Sequence, residues 1–392
     1  MVLLFCEEEG REVRRGRGDD GGGRGTEGVS GKEKDEGEGR RMAEEVKEEL
    51  GRYLKDGFAD GLEPLEPIDV TKTRTVSAIL SAYKKCAFGA RSLGEAADVL
   101  ETMIRDTKCG VILTLSGAMT VAKMGLLVCE MIDRGWVQGI VSTGALMAHG
   151  LIEGAGMTHF KARPDLDDEA LFANGYDRVY DTYELEKNLD EAEIIVRNVL
   201  AGLPEGSAVA SWEINRELGR YLKENVSGRA ILKSAFEKSV PVFVPAFTDS
   251  ELGLDLATFN HLQRKEGKPE IRFEPLYDLE AFTELVCSFE YPGIFTIGGG
   301  VPRNWAQQFG PYLDILSLRV GTEVPRKRYR YGVRICPEPV HWGGLSGCTY
   351  SEGVSWGKFV PPSEGGRFAE VYCDATIVWP LLVRALIERL EG

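Results

Sequence analysis

From Cys109 onward the chain alternates short β-rich apolar runs with stretches of helical period, and five of those runs end in small or acidic residues. Val111-Ile-Leu-Thr leads into Leu-Ser-Gly117, and Gly139-Ile-Val into Ser142, Thr143 and Gly144. Pro241-Val-Phe-Val-Pro-Ala-Phe leads into Thr248 and Asp249, Gly293-Ile-Phe-Thr-Ile into Gly298, Gly299 and Gly300, and Glu370-Val-Tyr-Cys into Asp374. Such a pattern restricts the fold to an α/β domain with a largely parallel sheet. The apolar spacing of Val121, Met124, Val128, Met131 and Ile132 predicts a helix after the first run. Ligands of open α/β sheets sit outside the carboxyl ends of the strands, so the five endings are expected to converge on one crevice.

Composition removes several alternatives. With 392 residues and 43% hydrophobic content the chain can bury one large or two ordinary cores. Its most apolar stretches, such as Ile377 to Leu386, are short or broken by Pro380 and Arg384, and the N-terminus has no secretory pattern. A cytoplasmic protein without membrane association is expected. The eight cysteines include no C-x-x-C pair, and none of the four histidines stands at i,i+4 from another, so neither a disulfide framework nor a metal site is indicated. A net charge of −15 argues against nucleic-acid binding and suits a cationic substrate. Residues 1–41 are rich in Gly, Glu and Arg and read as a disordered extension, with Met42 as an alternative start. The literal G-x-G-x-x-G at Gly16, Gly18 and Gly21 has neither a strand before it nor an apolar helix after it, and is discounted. Residues 42–108 read as an N-terminal helical region, beginning with the pattern of Val46, Leu50, Tyr53 and Leu54, and residues 109–392 as the α/β domain.

A glycine triplet after a strand exposes backbone amides to a phosphate or ribose, or makes a tight loop. Asp249 and Asp374 at two other strand ends could hold a ribose hydroxyl or cap a helix. Near the C-terminus Lys358 stands beside Trp356 and Phe359, six residues after Glu352. Aromatic walls would desolvate that amine, lower its pKa and suit it to imine chemistry, although most lysines are solvated surface groups. Trp305, Trp342, Tyr350 and Trp356 are either core or a cradle for alkylammonium groups.

The block Gly-Val-Ser-Trp-Gly-Lys358 resembles the active-lysine motif of deoxyhypusine synthases. Val-Pro-Ala-Phe-Thr-Asp249-Ser-Glu-Leu-Gly253, Ile-Gly-Gly-Gly300-Val and Val-Tyr-Cys-Asp374-Ala-Thr-Ile-Val-Trp-Pro are similar to the family's other blocks in the same order. The likeness spans about Thr71 to Leu390. It implies a doubly wound, Rossmann-like fold that binds NAD, in a homotetramer with active sites at dimer interfaces. It also implies that spermidine or a related polyamine is oxidised, and that its aminobutyl group is held as a lysine imine and passed to an acceptor protein lysine. By position, Lys358 resembles the imine-forming lysine, and Trp356 and Glu352 the polyamine contacts. Ser142, Thr143, Gly144, Asp249, Gly299, Gly300, Ser346 and Asp374 resemble the cofactor-binding set.

Departures from the family pattern concentrate on substrate recognition. Asn304 replaces a histidine, Trp342 and Leu345 replace acidic residues, His149 replaces another, and a carboxylate has moved one position to Asp255. Asn304 and Asp255 are therefore expected beside the substrate. Trp342 is expected to narrow the entrance, which leaves a small amine such as putrescine as an alternative acceptor. A further alternative is a non-catalytic protein that binds NAD or polyamine.

Overall fold

The structure is a computed structural model that describes residues 55–391. The expected extension 1–41, Met42 and the helical pattern from Val46 to Leu54 lie outside the described residues. The chain divides into one unit up to Pro64 and another from Leu65 onward. Described residues of the first form turns, one closed by the Leu62 N–H donating to the Gly57 carbonyl. The second holds the sheets and helices of the described residues, all of which come after Leu65 in chain order.

Among the described residues, eleven strands run in chain order: β1 (Cys109–Leu115), β2 (Gly139–Ser142), β3 (Phe160–Lys161), β4 (Tyr176–Val179), β5 (Thr182–Leu185), β6 (Ala208–Val209), β7 (Val242–Phe243), β8 (Arg272–Phe273), β9 (Tyr291–Ile297), β10 (Tyr331–Ile335) and β11 (Arg367–Val371). Six of them form a parallel sheet in the order β11-β10-β9-β1-β2-β7. The chain builds outward from β1 through β2 to β7, then returns to the other side of β1 and builds outward again from β9. The order therefore reverses between β1 and β9, the place where open α/β sheets bind ligands.

Both faces of the sheet are covered, and the period of two along each strand decides which residue faces which layer. Val111, Leu113 and Leu115 of β1 and Phe295 and Ile297 of β9 pack with the helices Phe88–Arg105, Gly125–Asp133, Gly144–Gly154 and Ala375–Glu391. Ile112 and Ile294 turn to the opposite face, against Phe282, Ala306, Phe309, Tyr350 and Phe359. On that face Thr114 and Thr296, both fully buried, satisfy each other through a 2.8 Å hydroxyl pair across β1 and β9. A doubly wound sheet is thus the observed architecture.

All five apolar runs are strands, with local corrections. In the run from Pro241 only Val242 and Phe243 pair, because Pro241 and Pro245 lack the N–H that a ladder needs, which fits β7 to the sheet edge. Gly125 begins the helix after β1, leaving Val121 and Met124 in the preceding turn. Strand β10 is not evident in the sequence because Arg334 interrupts its apolar pattern. Arg334 is nevertheless buried, its guanidinium 2.6 Å from Glu370 on neighbouring β11 and bonded to the Ser346 carbonyl. Two small sheets, β3-β5-β4 and β6-β8, are equally hidden in the sequence, since strands of two to four residues carry little periodicity.

Removing one partner of a buried pair leaves the other charge uncompensated. Arg334→Leu is expected to lower stability by about 3–5 kcal/mol. The measurement is a urea unfolding curve, with a reduced midpoint at unchanged slope.

Candidate active site

Lys358 is placed by backbone on both sides. The helix Tyr350–Ser355 starts at Thr349, whose hydroxyl accepts the Glu352 N–H, and ends in Gly357 at φ +69°, a left-handed turn that glycine adopts without strain. Beyond the turn the Lys358 carbonyl accepts the Tyr329 N–H at 3.0 Å, and the Val360 N–H donates to the Tyr329 carbonyl at 2.9 Å. Phe359 anchors this segment in the core. Its ring meets Tyr329, Tyr350 and Phe368 and is wholly buried, so it does not wall the lysine as its proximity in sequence suggested. Successive residues in extended chain point to opposite sides, which sends Lys358 the other way.

The lysine side chain enters a cleft of about 370 Å³ lined by Asn304, Gln308, Leu345, Cys348, Glu352, Trp356 and neighbouring backbone. Its ammonium or amine donates to Asn304 Oδ1 at 3.2 Å and lies 5.9 Å from the Trp356 ring centroid. Burial pushes the Lys358 pKa down, against the neighbouring Cys348 and Glu352 and with help from the Arg303 guanidinium. A lysine with a lowered pKa in reach of a carboxylate and an aromatic face can act as an amine nucleophile. Asn304, Glu352, Trp356 and Lys358 are thus brought together. Trp342 is 70% exposed and is absent from the cleft lining, whereas Leu345 forms part of it.

Of the cofactor candidates, Gly299 and Gly300 with Ser346 lie at the reversal of strand order, Ser142 to Gly144 one strand away, and Asp249 and Asp374 at the sheet edges. Gly298 and Gly300 have φ of +79° and +60°, and a Cβ on Gly298 would stand 2.2 Å from Ser116 Oγ. The same hydroxyl accepts the Gly299 N–H at 2.8 Å. Gly299 lies so close to Ser346 that an added Cβ would be 2.5 Å from the Ser346 Cα. Next along the sheet, the Thr143 N–H donates to the Leu115 carbonyl, and Gly144 opens a helix against Ser250, the neighbour of Asp249. Asp374, exposed, accepts from the Thr376 N–H and hydroxyl at 2.9 and 3.0 Å, which is the helix-capping role also considered for it. Asp249 and Asp374 follow β7 and β11, the two edges of the sheet. Asp255 is not among the cleft residues. It sits on the helix Glu251–Lys265 near Glu193 and Glu251, where burial and those two charges raise its pKa to about 7.

Two contributors are not evident from the sequence. Ser116 is visible there as part of a strand ending, yet nothing marks its hydroxyl as the partner of the glycine triplet. Arg303, 2% exposed, has no sequence signal, because its neighbours carry the recognisable pattern.

A family model described as deoxyhypusine synthase matches residues 78–386. The "Probable deoxyhypusine synthase 2" of Methanosarcina acetivorans is 33% identical over 329 residues, covering 83% of this chain and 90% of the relative. The counterpart in Archaeoglobus fulgidus is 33% identical over 77% and 95% of the two chains, and the "Deoxyhypusine synthase-like protein" of Chlorobaculum parvum 33% identical over 84% and 90%. A crystal structure of a "putative deoxyhypusine synthase" from Entamoeba histolytica shares the fold, with a TM-score of 0.53 at 13% identity over 82% of this chain and 96% of that one.

The lowered pKa has a direct readout. Labelling of Lys358 by an amine-specific reagent, followed by peptide mass spectrometry across pH, is expected to have its midpoint below the ordinary lysine value of about 10.4. An unshifted midpoint would remove the basis for treating this amine as activated.

Proposed function

The chain belongs to the deoxyhypusine synthase family, and on that premise we propose that it is an NAD-dependent transferase carrying the 4-aminobutyl group of spermidine through an imine on Lys358 to an acceptor amine. The observation that carries this reading is the half-buried Lys358 amine, held by Asn304 in one cleft with Glu352 and Trp356.

The residues at the strand reversal fit a dinucleotide. Gly298 to Gly300 leave backbone bare of side chains, and Ser116 and Ser346 against them are small and polar. NAD, when bound, supplies the two-electron oxidant for the donor amine and, as NADH, the reductant for the product imine. The rest falls to the chain's own residues. Lys358 in its neutral form adds to the donor's C=N carbon, and the departing diamine takes the electron pair and a proton, leaving the four-carbon unit on the lysine nitrogen. The acceptor amine then adds to the same carbon and displaces Lys358. Glu352 compensates the donor's ammonium group, and the Trp356 face offers a second, weaker attraction to it. Asn304 fixes the direction of the Lys358 nitrogen through an acceptor that does not titrate.

A small amine as acceptor is a second reading, favoured by Leu345 and Asn304 in the cleft where the family pattern has an acidic residue and a histidine. A polyamine ammonium opposite those residues would lose a charged partner, so a shorter amine is the better match.

Borohydride reduction in the presence of labelled spermidine and NAD is expected to fix an aminobutyl mass on the Lys358 peptide. Lys358→Arg should abolish it, since a guanidinium stays protonated. Label on another lysine would refute the assignment. Gly299→Val should remove the thermal stabilisation that NAD gives the wild type, because its Cβ displaces Ser346. Turnover of a hypusine-precursor protein set beside turnover of putrescine separates the two acceptor readings.

A further inference from the structure

We propose that His149, His159 and Glu184 form a binding site for one divalent first-row transition ion, of the Zn²⁺ class, which clips the helix Gly144–Gly154 to the β3-β5 ladder. Spacing along the chain argues against any metal site, because these residues are ten and twenty-five positions apart. The fold removes that objection. Phe160 pairs with Tyr183 in the antiparallel ladder, so the next residues outward, His159 and Glu184, stand opposite each other. His149 reaches the same point from the helix. One ring nitrogen of each histidine and a Glu184 carboxylate oxygen all lie within 4.8 Å of one another, two imidazoles and a carboxylate being a ligand set suited to such ions.

The cluster is hydrogen-bonded at His149 Nδ1 and at His159 Nδ1, and the exception that points to a metal is His159 Nε2. That nitrogen is 2.6 Å from Glu184 Oε2, yet it makes no hydrogen bond: the oxygen lies off the axis along which a ring N–H would point. The side chains of both residues are 1% exposed, so no solvent compensates that nitrogen. A cation placed on the ring axis at about 2.1 Å can still touch an oxygen that lies off it. His149 Nδ1 shares a 3.1 Å hydrogen bond with the same oxygen, a contact that the ion replaces; a tetrahedral site needs roughly 3.4 Å between ligands, so ion binding widens the 2.6 Å His159 Nε2–Glu184 Oε2 separation as well. Glu184 is already oriented as a ligand, because Oε1 accepts from Asn188 Nδ2 at 2.8 Å and from the Leu185 N–H at 2.9 Å, while Oε2 faces the two imidazoles alone, where the ion would sit. Among the described residues, the ion-pair partners of this buried carboxylate are the two imidazoles.

Lys123 is the competing group. Its Nζ lies 2.9 Å from His159 Nδ1, and an ammonium there would donate to Nδ1 and keep the proton on Nε2. Metal on Nε2 moves that proton to Nδ1, which an ammonium cannot accept. Lys123 has an alternative, since it is 45% exposed and already 3.6 Å from Glu153 Oε1. Binding of the ion therefore turns Lys123 toward Glu153.

None of the three ligands lines the Lys358 cleft, so the test is independent of the catalytic proposal. Full-length protein is stripped with chelator, incubated with Zn²⁺ or Co²⁺ and freed of excess by gel filtration. The expected result is one equivalent of Zn²⁺ per chain, and for Co²⁺ the intense visible absorption of a four-coordinate nitrogen and oxygen site. His149→Ala, which truncates the most exposed ligand, and Glu184→Gln should each reduce the equivalent to none, whereas Lys358→Arg retains it. The wild-type cobalt spectrum decides the matter even where a variant folds poorly. Wild-type protein that retains no metal, a spectrum of six-coordinate aqueous type, or an equivalent that survives in both folded variants overturns the proposal.

Discussion

The parallel pairing of β1 with β9, unbroken from Cys109 opposite Tyr291 to Leu115 opposite Ile297, is the constraint on which the rest of the structure depends. It joins the two halves of the sheet, and both strands are buried on both faces. Their side chains consequently alternate between two separate cores rather than between core and solvent. Where the pairing ends, the Ser116 N–H still donates to the Ile297 carbonyl while the Ser116 hydroxyl takes the Gly299 N–H. The glycine triplet is thus fixed by the last contacts of the ladder, and Ser346 closes against it from the loop after β10.

Lys358, the proposed nucleophile, is held by a different kind of support. It does not sit at a strand end; it follows a short helix and a glycine turn, and its backbone is bound to Tyr329 while the next side chain is locked into an aromatic cluster. The cost of this arrangement is desolvation of an ammonium, and the lowered Lys358 pKa is its direct expression, since the lysine loses its proton more easily. Glu352, which acts in the opposite sense, is exposed, and the side chain that holds the lysine nitrogen is the neutral amide of Asn304.

Much of this was legible in the chain because the period of two, the strand-ending glycines and the Ser-Trp-Gly-Lys pattern are local signals. Strands β1, β2, β7, β9 and β11 followed from apolar runs bounded by small residues, whereas Asn304, Glu352, Trp356 and Lys358, which line one cleft, were expected together only from the family resemblance of their blocks. The failures share a physical cause. Arg334 disguised β10, because a charge buried by pairing with Glu370 looks like a surface residue until its partner is known. Phe359 looked like a wall of the lysine pocket because adjacency in sequence says nothing about side-chain direction. His149, His159 and Glu184 were scattered, and only the antiparallel register of β3 with β5 and the path of one helix make them neighbours.

The Thr114–Thr296 hydroxyl pair joins residues 182 positions apart, and the whole β1-β9 ladder spans a comparable separation. Loop closure over that distance is slow, and contacts of this kind form late compared with the local pairing of β1 with β2. Half of the eventual crevice, from Ser116 to Gly144, can be in place on a growing chain while the glycine triplet has yet to be synthesised. A partly made chain therefore carries an exposed flank of β1 that only β9 can cover, and the interval before it is covered is when this protein is most open to misassembly.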